Sequence, residues 1–365
     1  MNSNKIAIIV PAHNEALTIE KTLTSLLPQL TSNDRIIVVA DNCTDNTAAI
    51  AKLVGGIDRK LDITVLERKN STELGKGYAL DYGIQFLKSD VPSAVVIIDA
   101  DCIVHSNTVQ KLAKLALNSG RPVQATYLQD RPQNPTPKDT ISALAILVKN
   151  FVRLQGLANL NLPCLLYGTG MAFPWSVIEN ASLANDNLVE DMQLAIDLAI
   201  AGYPPLYCPT AKVTGILPQE QQAIRTQRTR WEHGHLQTLI SQVPRLVKAG
   251  IGQRRWRLLI LALDLAVPPL SLLVTIWGAT TLMAMLLGIV GGLWLPVLVL
   301  AITGLLILTS IMGSWMKFGR DIPGLILLTI PFYIFWKIPL YVGFLLKPQT
   351  EWIKTKRDEL SQVRP

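Results

Sequence analysis

The strongest constraint on this 365-residue chain is Leu258–Met316, a run of 59 residues in which Asp264 is the one charged side chain. Crossing a hydrocarbon layer about 30 Å thick needs roughly 20 apolar residues, so the run is long enough for a membrane hairpin. A purely soluble protein is therefore excluded. The predicted hairpin consists of the helices Leu258–Leu287 and Leu295–Met316, with a turn at Gly291-Gly292.

A basic segment comes directly before the apolar run. Between Gln227 and Arg257, seven Arg and Lys side chains face one acidic side chain, Glu232, in a chain of net charge +7. Positive charge beside a membrane segment is typical of its cytosolic side, and we favour this interpretation over a nucleic-acid-binding patch. We predict amphipathic interfacial helices over residues 219–257, interrupted at Pro244, with the lipid bilayer as a partner and no nucleic acid.

The segment Ile322–Leu346 is long enough to cross a membrane, but three prolines and Lys337 interrupt it. A full crossing would also place the basic tail, residues 347–365, outside the cell, against the charge rule. We therefore favour a kinked re-entrant or interfacial segment over a third transmembrane helix. The membrane region, residues 258–346, then holds two to three helices, and the tail is cytosolic.

The first hundred residues alternate apolar β-branched runs with segments of helical spacing. Nearly continuous apolar runs are typical of parallel strands buried on both faces. This alternation predicts an α/β sheet with helices on both faces, within a domain over residues 1–218 that we expect in the cytosol because no secretory signal precedes it. The predicted strands are Ile6–Val10, Arg35–Ala40, Ile63–Glu67 and Ala94–Asp99, and the predicted helices are Glu15–Leu30, Asp45–Val54, Gly75–Leu87, Thr140–Leu157 and Leu188–Ala201.

Polar side chains follow the predicted strands at their carboxyl ends, which is the edge where open α/β sheets bind ligands. Asn14 and Glu15 follow the first strand, Asp41 the second, and Asp99 and Asp101 the fourth. Hard divalent cations are bound by one or two carboxylates together with substrate phosphates. Asp99 and Asp101 are therefore predicted to hold Mg²⁺ or Mn²⁺ with a diphosphate, and Asp41 to accept hydrogen bonds from a base or ribose.

Lys76 lies between two glycines at a predicted helix start, where its ammonium can pair with a diphosphate. Glu190 and Asp191 begin another helix. A carboxylate in a partly desolvated cleft can act as base for an acceptor hydroxyl, although acids at a helix start also simply complement the helix dipole.

A third group of candidate residues precedes the membrane run. Gln227, Arg230 and Trp231 share one helix face, where Arg can stabilise a departing diphosphate and Trp can contact an acceptor sugar. The alternative is an aromatic and basic belt at a membrane surface.

In this order, these groups resemble the family 2 glycosyltransferases, an inverting family with the GT-A fold. The resemblance covers residues 6–231, and its last two motifs are similar to those of cellulose, chitin and hyaluronan synthases and of exopolysaccharide glycosyltransferases. It implies a Rossmann-like GT-A domain followed by interfacial helices and a small transmembrane region. The motifs are Val10-Pro11-Ala12-His13-Asn14-Glu15, Asp41 with Asp45, Gly75-Lys76-Gly77, Asp99-x-Asp101, Gly168-Thr169-Gly170, Glu190-Asp191 and Gln227-x-x-Arg230-Trp231.

The resemblance also implies roles for individual residues. It implies Asp191 as the catalytic base, with Glu190 beside it, and Asp99 and Asp101 as the metal ligands. The implied donor-nucleotide residues are Pro11, Ala12, Asn14, Glu15, Asp41, Lys76, Asp99 and Asp101. The implied diphosphate or acceptor residues are Gln227, Arg230, Trp231, Gly168, Thr169 and Gly170.

Three features depart from the family pattern. One is that the two to three predicted membrane helices are fewer than the polymer-extruding synthases generally carry. The second strand ends on Ala40-Asp41, one acid where the family usually has two, and Val189 replaces the usual Thr before the paired acids. The tail segment Trp352–Arg357 is similar to the gating segments of the synthases, with a plain interfacial anchor as the alternative.

The predicted function is inverting hexosyl transfer from a nucleotide sugar, preferably a UDP-sugar, to a lipid-linked or polysaccharide acceptor. The product bond is β. We expect a multi-pass protein of the cell inner membrane with its catalytic domain in the cytosol, and a homo-oligomer is compatible with the sequence. The alternatives are a processive β-polysaccharide synthase and a catalytically inactive, nucleotide-binding membrane scaffold.

Overall fold

The computed structural model describes residues 4–57, 62–130, 135–185, 187, 189–216 and 221–346. These residues divide into two compact units, one within Met1–Asp130 and Leu154–Leu265 and the other within Arg131–Arg153 and Ala266–Pro348. The predicted gating segment Trp352–Arg357 lies outside the described residues. The predicted domain boundaries at residues 218, 257 and 346 stay predictions.

The first unit is built on an eight-stranded mixed sheet. Its strands are β1 (Ile6–Ala12), β2 (Arg35–Asp41), β3 (Asp62–Arg68), β4 (Ala94–Ile97), β5 (Cys102–Val104), β6 (Val123–Gln129), β7 (Met171–Pro174) and β8 (Leu206–Gly215). They follow the order β3-β2-β1-β4-β7-β6-β8-β5. The first four are parallel, as predicted, whereas β7 runs antiparallel to both β4 and β6.

Helices cover this sheet and form most of the second unit. The first helices along the chain, all within the first unit, are α1 (Ile19–Leu26), α2 (Thr47–Ile57), α3 (Lys76–Leu87) and α4 (Thr108–Ser119). The next, along the chain, are α5 (Pro137–Leu147), α6 (Arg153–Asn159), α7 (Trp175–Ile178), α8 (Glu190–Ala201), α9 (Gln221–Gly252) and α10 (Trp256–Ala266). The last are α11 (Leu270–Gly291), α12 (Leu295–Phe318) and α13 (Ile330–Leu346).

The parallel half of the sheet is held by apolar burial on both faces. Every residue of β1 and β2 is buried, and α1 inserts Ile19, Leu23 and Leu26 into the same core. Helix α3 packs on β1 and β2 through its predicted apolar face, which includes Leu80 and Ile84. Full burial of such a side chain contributes about 1.5–3 kcal/mol to the free energy of folding. These contacts therefore hold α3 and the strands in fixed positions relative to each other.

Three predicted helices differ from the structure. The helix predicted over Glu15–Leu30 begins only at Ile19, because the Glu15 carbonyl caps it by accepting from the amides of Thr18 and Ile19 at 3.0 and 2.9 Å. The predicted interruption at Pro244 is wrong, since α9 continues through it; a proline removes one amide donor and bends a helix without always ending it.

The helix predicted over Leu258–Leu287 is also wrong. Two consecutive prolines, Pro268 and Pro269, divide it into α10 and α11, because each lacks an amide donor. Helix α10 buries Leu261 and Leu265 in the first unit. The predicted turn is confirmed: α11 ends at Gly291, and Gly292 takes a left-handed conformation with φ of +70°.

Within the described residues, four helical segments are long and apolar enough to cross a membrane. Two belong to the predicted hairpin. A third lies within Ile322–Leu346, for which a re-entrant segment and a full crossing both remain predictions. The fourth, Pro137–Asn159, was predicted as a helix without a membrane role; it joins α5 and α6 through a π-helical turn. The four segments are Pro137–Asn159, Leu270–Gly291, Leu295–Phe318 and Gly324–Leu346.

Candidate active site

The acidic motifs predicted around residues 99 and 190 come together around the ammonium of Lys76. Its Nζ lies 2.5 Å from Asp99 Oδ1 and 3.8 Å from Glu190 Oε1, and it donates to the Gly168 carbonyl at 2.6 Å. Asp191 is also adjacent, because a Cβ built on Gly168 would lie 3.2 Å from Asp191 Oδ2 and 3.3 Å from Lys76 Nζ. Four motifs far apart in the chain thus form one cluster, the Lys76 cluster (Lys76, Asp99, Asp101, Gly168, Glu190 and Asp191).

Two helix starts and one strand end place these side chains. Lys76 is the first residue of α3 and follows Gly75, whose φ of +125° suits glycine and turns the chain into the helix. Glu190 and Asp191 are the first residues of α8. Asp99 lies two residues beyond β4, at the carboxyl edge of the sheet. The amino ends of two helices therefore face the same strand end.

The cluster carries an excess of negative charge. Burial raises the pKa of Asp99 to about 6; the Lys76 ammonium opposes this rise, and Asp101 adds to it. Burial alone would lower the pKa of Lys76, but the charges of Asp99, Glu190 and Asp191 outweigh it and hold that pKa above its usual 10.5. With every group ionised, four carboxylates and one ammonium give a net charge of −4 + 1 = −3.

The Gly168-Thr169-Gly170 segment holds residues of the cluster in place through hydrogen bonds. Thr169 is fully buried; its Oγ1 accepts from the Asp99 amide at 3.0 Å, and its carbonyl accepts from Gln124 Nε2 at 2.9 Å. Gly168 and Gly170 have φ of +83° and +64°, and a Cβ on Gly170 would lie only 2.8 Å from another side chain. The segment therefore positions Asp99 and Lys76, while its contact with a diphosphate or acceptor stays a prediction.

Asp41 lies at the carboxyl end of β2 and is held by Arg68, the last residue of β3. Arg68 Nη1 is 2.8 Å from Asp41 Oδ1, and the two side chains are 8% and 7% exposed. The same guanidinium reaches Glu73 Oε2 at 2.7 Å. Asn42 Nδ2 also donates to Asp41 Oδ1, at 3.1 Å. Because Arg68 and Asn42 both bind Oδ1, the Asp41 carboxylate is held in one orientation.

Asp41 and the Lys76 cluster share one edge of the sheet. Strand β1 lies between β2 and β4, with Ala12 opposite Ala40 and Ile9 opposite Ile97. Strands β2 and β4 are therefore two strand spacings, roughly 10 Å, apart measured across the sheet. That separation suits a ligand with a nucleoside at one end and a diphosphate at the other.

The other predicted donor residues build the loop between β1 and α1. Pro11 and Ala12 complete the buried strand β1. Asn14, with φ of +56°, accepts from the Thr44 amide at 2.8 Å and so joins the loops after β1 and β2. Glu15 is 8% exposed and accepts from Thr18 Oγ1 at 2.9 Å. For these four residues, contact with a nucleotide stays a prediction.

The last predicted motif lies on α9. Gln227 is buried, and Arg230 and Trp231 are half-buried. Helix α9 packs against α8, where an ion pair of 2.5 Å joins Arg245 to Asp197. The helix that starts with the paired acids and the helix that carries Arg230 are therefore packed neighbours. The roles of Gln227, Arg230 and Trp231 at a diphosphate or acceptor stay predictions.

The residues present fit a divalent cation that the substrate helps to bind. Among the described residues, no group of three or more His, Cys, Asp and Glu side chains forms a closed metal site. Mg²⁺ commonly uses only one or two carboxylates and completes its shell with phosphates and water. Asp99 and Asp101 supply such oxygens, and a diphosphate needs a cation to enter a cluster of this charge. The ammonium of Lys76 already shows that these acids hold a cation.

Comparison with known proteins identifies the family. Residues 3–234, more than half of the chain, match the sequence model described as "Glycosyltransferase like family 2". The chain belongs to glycosyltransferase family 2. This confirms the resemblance that the motifs predicted.

Two curated relatives show the same family relationship. "Probable glycosyltransferase YdaM" of Bacillus subtilis (strain 168) is 27% identical to this glycosyltransferase over 248 residues, which cover 63% of this chain and 55% of that protein. "Poly-beta-1,6-N-acetyl-D-glucosamine synthase" of Staphylococcus aureus (strain COL) is 25% identical over 245 residues, or 64% and 55% of the two chains. The chain thus spans about half the length of the curated relatives it matches.

A solved structure supports the fold. The mannosyltransferase PcManGT of Pyrobaculum calidifontis, solved in complex with GDP-Man and Mn²⁺, superposes with a TM-score of 0.52 at 18% identity, over 95% of this chain and 88% of that chain. The predicted fold class, a GT-A α/β domain followed by apolar helices, is confirmed.

Sequence reasoning missed Arg68 and Glu73. A signal was available, because β3 was predicted to end at Glu67 and a charged residue follows it directly. The strand-end rule that selected Asp41 and Asp99 applies equally to this third strand. Arg68 would then have been a candidate partner for the acid at the end of the neighbouring strand.

Proposed function

We propose that this family 2 glycosyltransferase transfers a hexosyl group, with inversion, from a nucleoside-diphospho sugar to a hydroxyl of a lipid-linked or polysaccharide acceptor. A UDP-sugar is the favoured donor. In-line attack on an α-linked donor gives a β-glycosidic bond, because it inverts the anomeric carbon. The site of action is the cytoplasmic membrane, with the first unit in the cytosol.

The observation that carries the proposal is the Lys76 cluster. It places the strand-end acid Asp99 and the helix-start acids Glu190 and Asp191 around a single cation. Sugar transfer from a nucleotide needs both functions side by side, since one group of acids holds the cation and diphosphate while another activates a hydroxyl. Arg68 and Asp41 stand at the nucleoside end of the same edge.

Asp191 is the base in this mechanism. Its carboxylate takes the proton from the acceptor hydroxyl while the hydroxyl oxygen bonds to the anomeric carbon. The bond from that carbon to the diphosphate oxygen breaks, and its electron pair stays on the departing diphosphate. Arg230 neutralises charge on this leaving group, and Trp231 contacts the acceptor. Glu190 helps to keep the Lys76 ammonium beside the reacting groups.

Asp99 and Asp101 are the residues that would hold Mg²⁺ or Mn²⁺. When bound there, the cation supplies positive charge to the leaving diphosphate. Asp41, oriented by Arg68, binds the nucleoside. Lys76 remains available to the diphosphate as a second positive charge.

A membrane acceptor is supported by the apolar helices. Four described segments have the length and composition of membrane spans, and the segment before Leu258 is basic and aromatic. The chain that carries the active-site acids thus also carries segments suited to a membrane. An acceptor that is lipid-linked or held at the membrane suits this arrangement.

The test of the base assignment is Asp191→Asn. We expect donor binding to be nearly unchanged and transfer to fall on the order of 10²–10⁴-fold, the usual contribution of a positioned base. Nucleoside diphosphate release and transfer are measured in membrane vesicles that carry the protein and its membrane acceptors. The matched control is Asp197→Asn on the same helix, whose ion pair with Arg245 is half-exposed and worth little. Unchanged turnover in Asp191→Asn would remove Asp191 from this role.

A processive β-polysaccharide synthase is the second candidate. Two observations favour it: one relative is named a polysaccharide synthase, and four described segments, more than the two to three predicted, are suited to a membrane. Product length on a gel separates the candidates, because a single transfer adds one sugar and a synthase gives a ladder or a polymer. Any turnover of a nucleotide sugar by the purified protein excludes the inactive scaffold.

A further inference from the structure

The ammonium of Lys76 contacts acidic side chains directly, although the sequence predicts that it pairs with a diphosphate. It contacts Asp99 Oδ1 at 2.5 Å, the Gly168 carbonyl at 2.6 Å and Glu190 Oε1 at 3.8 Å. The Lys76 side chain is only 21% exposed. Both carbonyl and carboxylate oxygens face it, so the ammonium sits in an oxygen-lined site of the kind that suits a cation.

The site overlaps with the one proposed for the divalent cation. Asp99 is both the main partner of Lys76 and one of the two carboxylates assigned to the metal. Two cations that share one carboxylate lie within a few ångströms and repel each other strongly in a partly buried site. Full occupation by a divalent cation therefore requires the ammonium to leave Asp99.

A diphosphate offers the ammonium another partner. Lys76 begins α3, and phosphate oxygens are favoured at helix amino ends. An arriving nucleotide can therefore draw the ammonium away from Asp99 and present its own oxygens to the cation. Without a nucleotide, no such exchange of partners is possible, and the acids keep the ammonium.

We propose that Lys76 is a tethered counter-cation that occupies the divalent-cation site until a nucleotide arrives, so that nucleotide and metal bind together rather than metal first. This inference rests on the proposed function, because it assumes that a metal and a nucleotide diphosphate bind here. Lys76 acts as a positioning residue: it holds the acids together in the free enzyme and couples the two ligands. Thermodynamic linkage makes this coupling reciprocal.

A purely structural ion pair would behave differently. If Lys76 only braced Asp99 against Glu190, its removal would lower stability without changing the order in which metal and nucleotide bind. A tethered counter-cation competes with free metal, so its removal must strengthen metal binding in the absence of nucleotide. The two roles therefore predict different results for metal binding without nucleotide: removal of a structural ion pair leaves it no tighter, and removal of a counter-cation makes it tighter.

The experiment measures Mn²⁺ binding to the full-length protein in detergent by electron paramagnetic resonance of free Mn²⁺. The measurements are made at pH 8 with no nucleotide, with UDP and with GDP. The neutral variants are Lys76→Met and Lys76→Gln, and Lys76→Arg keeps the charge. The matched control is Lys52→Met, because Lys52 is exposed and pairs with Glu67 on the surface. Melting temperatures confirm that each variant is folded.

We expect the wild type to bind Mn²⁺ weakly alone and much more tightly with nucleotide. In both neutral variants, Mn²⁺ binding without nucleotide should become roughly ten-fold tighter, and the added effect of nucleotide should shrink. Lys76→Arg and Lys52→Met should resemble the wild type. Equal or weaker Mn²⁺ binding by folded neutral variants would overturn the inference and leave the proposed function intact. Failure of the wild type to bind Mn²⁺ with either nucleotide would overturn the proposed function and this inference with it.

Discussion

At the scale of single residues, the polar groups at the sheet edge are held by one another. Asn14 and Asn42 adopt left-handed backbone conformations, with φ of +56° and +50°, which asparagine tolerates better than most residues. Asn42 Oδ1 accepts from the Asn70 amide at 2.9 Å, and Asn14 bonds to Thr44. Unusual conformations persist where side-chain bonds fix them, and they concentrate at functional sites. Changes at such residues should therefore have local effects.

Arg68→Met removes the main partner of the buried Asp41 carboxylate. Breaking a buried ion pair by removing one member costs about 3–5 kcal/mol, so we expect a lower melting temperature. We also expect the donor KM to rise about ten-fold or more, equivalent to at least 1.4 kcal/mol, with a smaller change in kcat, because Asp41 loses its orientation. Thermal melting and initial rates at varied donor concentration measure these effects, with Lys52→Met as the exposed control. A lowered melting temperature with an unchanged KM would restrict Arg68 to a structural role.

Cys43 provides a chemical probe of the nucleoside end. Burial, with the nearby charges of Asp45 and Asp41, raises the pKa of this half-buried thiol above its usual 9.0. Because the thiolate is the reactive form, alkylation by N-ethylmaleimide should be slow at pH 7 and should still be accelerating as the pH rises past 9.0. Cys102 and Cys164 are buried, and their raised pKa values should keep them unmodified in the folded protein.

Saturating donor nucleotide should slow alkylation of Cys43, because its Sγ lies 3.5 Å from the Asn14 amide in the predicted donor site. Mass spectrometry of peptides after timed labelling measures the rate. Identical rates with and without a nucleotide that is turned over would place the nucleoside elsewhere.

At the scale of elements, long uninterrupted patterns were predictable and short pairings were not. Strands β1 and β2 are continuous apolar runs, and their prediction is confirmed. Strand β7 has four residues and lies in a segment that local signals assign to a turn, and β8 includes exposed residues and a proline. Such strands form because a partner strand supplies their hydrogen bonds, and that partner is distant in sequence.

Local sequence patterns also failed to predict the membrane character of the helix Pro137–Asn159 and the surroundings of Lys76. The mean hydropathy of that helix is 1.3, against 2.5 for Leu295–Phe318, because Lys149 and Arg153 interrupt it. The local pattern of this helix therefore predicts a membrane role less clearly than that of Leu295–Phe318. For the site, strand ends and paired acids indicated the residue types, but the choice of acids around Lys76 depends on how β4, α3 and α8 meet.

The start of α3 tests how closely that helix must pack. A Cβ on Gly77 would collide with the carbonyl oxygen of Leu183. Because this oxygen belongs to the backbone, it cannot move aside as the end of a flexible side chain could. Gly77→Ala should therefore destabilise the protein by about 1–3 kcal/mol and displace Lys76, which lowers turnover. The control is Gly56→Ala in α2, where no atom lies within 4 Å of the new Cβ. Because alanine has a higher helix propensity than glycine, Gly56→Ala should leave the stability unchanged or raise it by up to about 1 kcal/mol. Equal melting temperatures for the two variants would contradict the described contact.

At the scale of the whole molecule, a family 2 GT-A domain is combined with apolar helices in one chain. The first unit carries the acids of the Lys76 cluster, Asp41 with Arg68, and α9. The second unit carries three of the candidate membrane spans, Leu270–Gly291, Leu295–Phe318 and Gly324–Leu346. Candidate membrane spans were predictable because a run of 59 residues with a single charge is long and apolar enough for two crossings. The sugar and the acceptor depend on side chains that contact them, so they must be found by assay.

The most direct test of the central claim is the release of nucleoside diphosphate by the purified full-length protein, in detergent with added membrane lipid. A panel of UDP- and GDP-sugars is assayed with Mn²⁺, with Mg²⁺ and with EDTA, for the wild type and for Asp101→Asn and Asp191→Asn. We predict that at least one donor is turned over, that turnover requires a divalent cation, and that both variants lose it. Undiminished turnover in EDTA, or in the Asp101→Asn variant, would contradict a reaction centred on these acids and a bound cation.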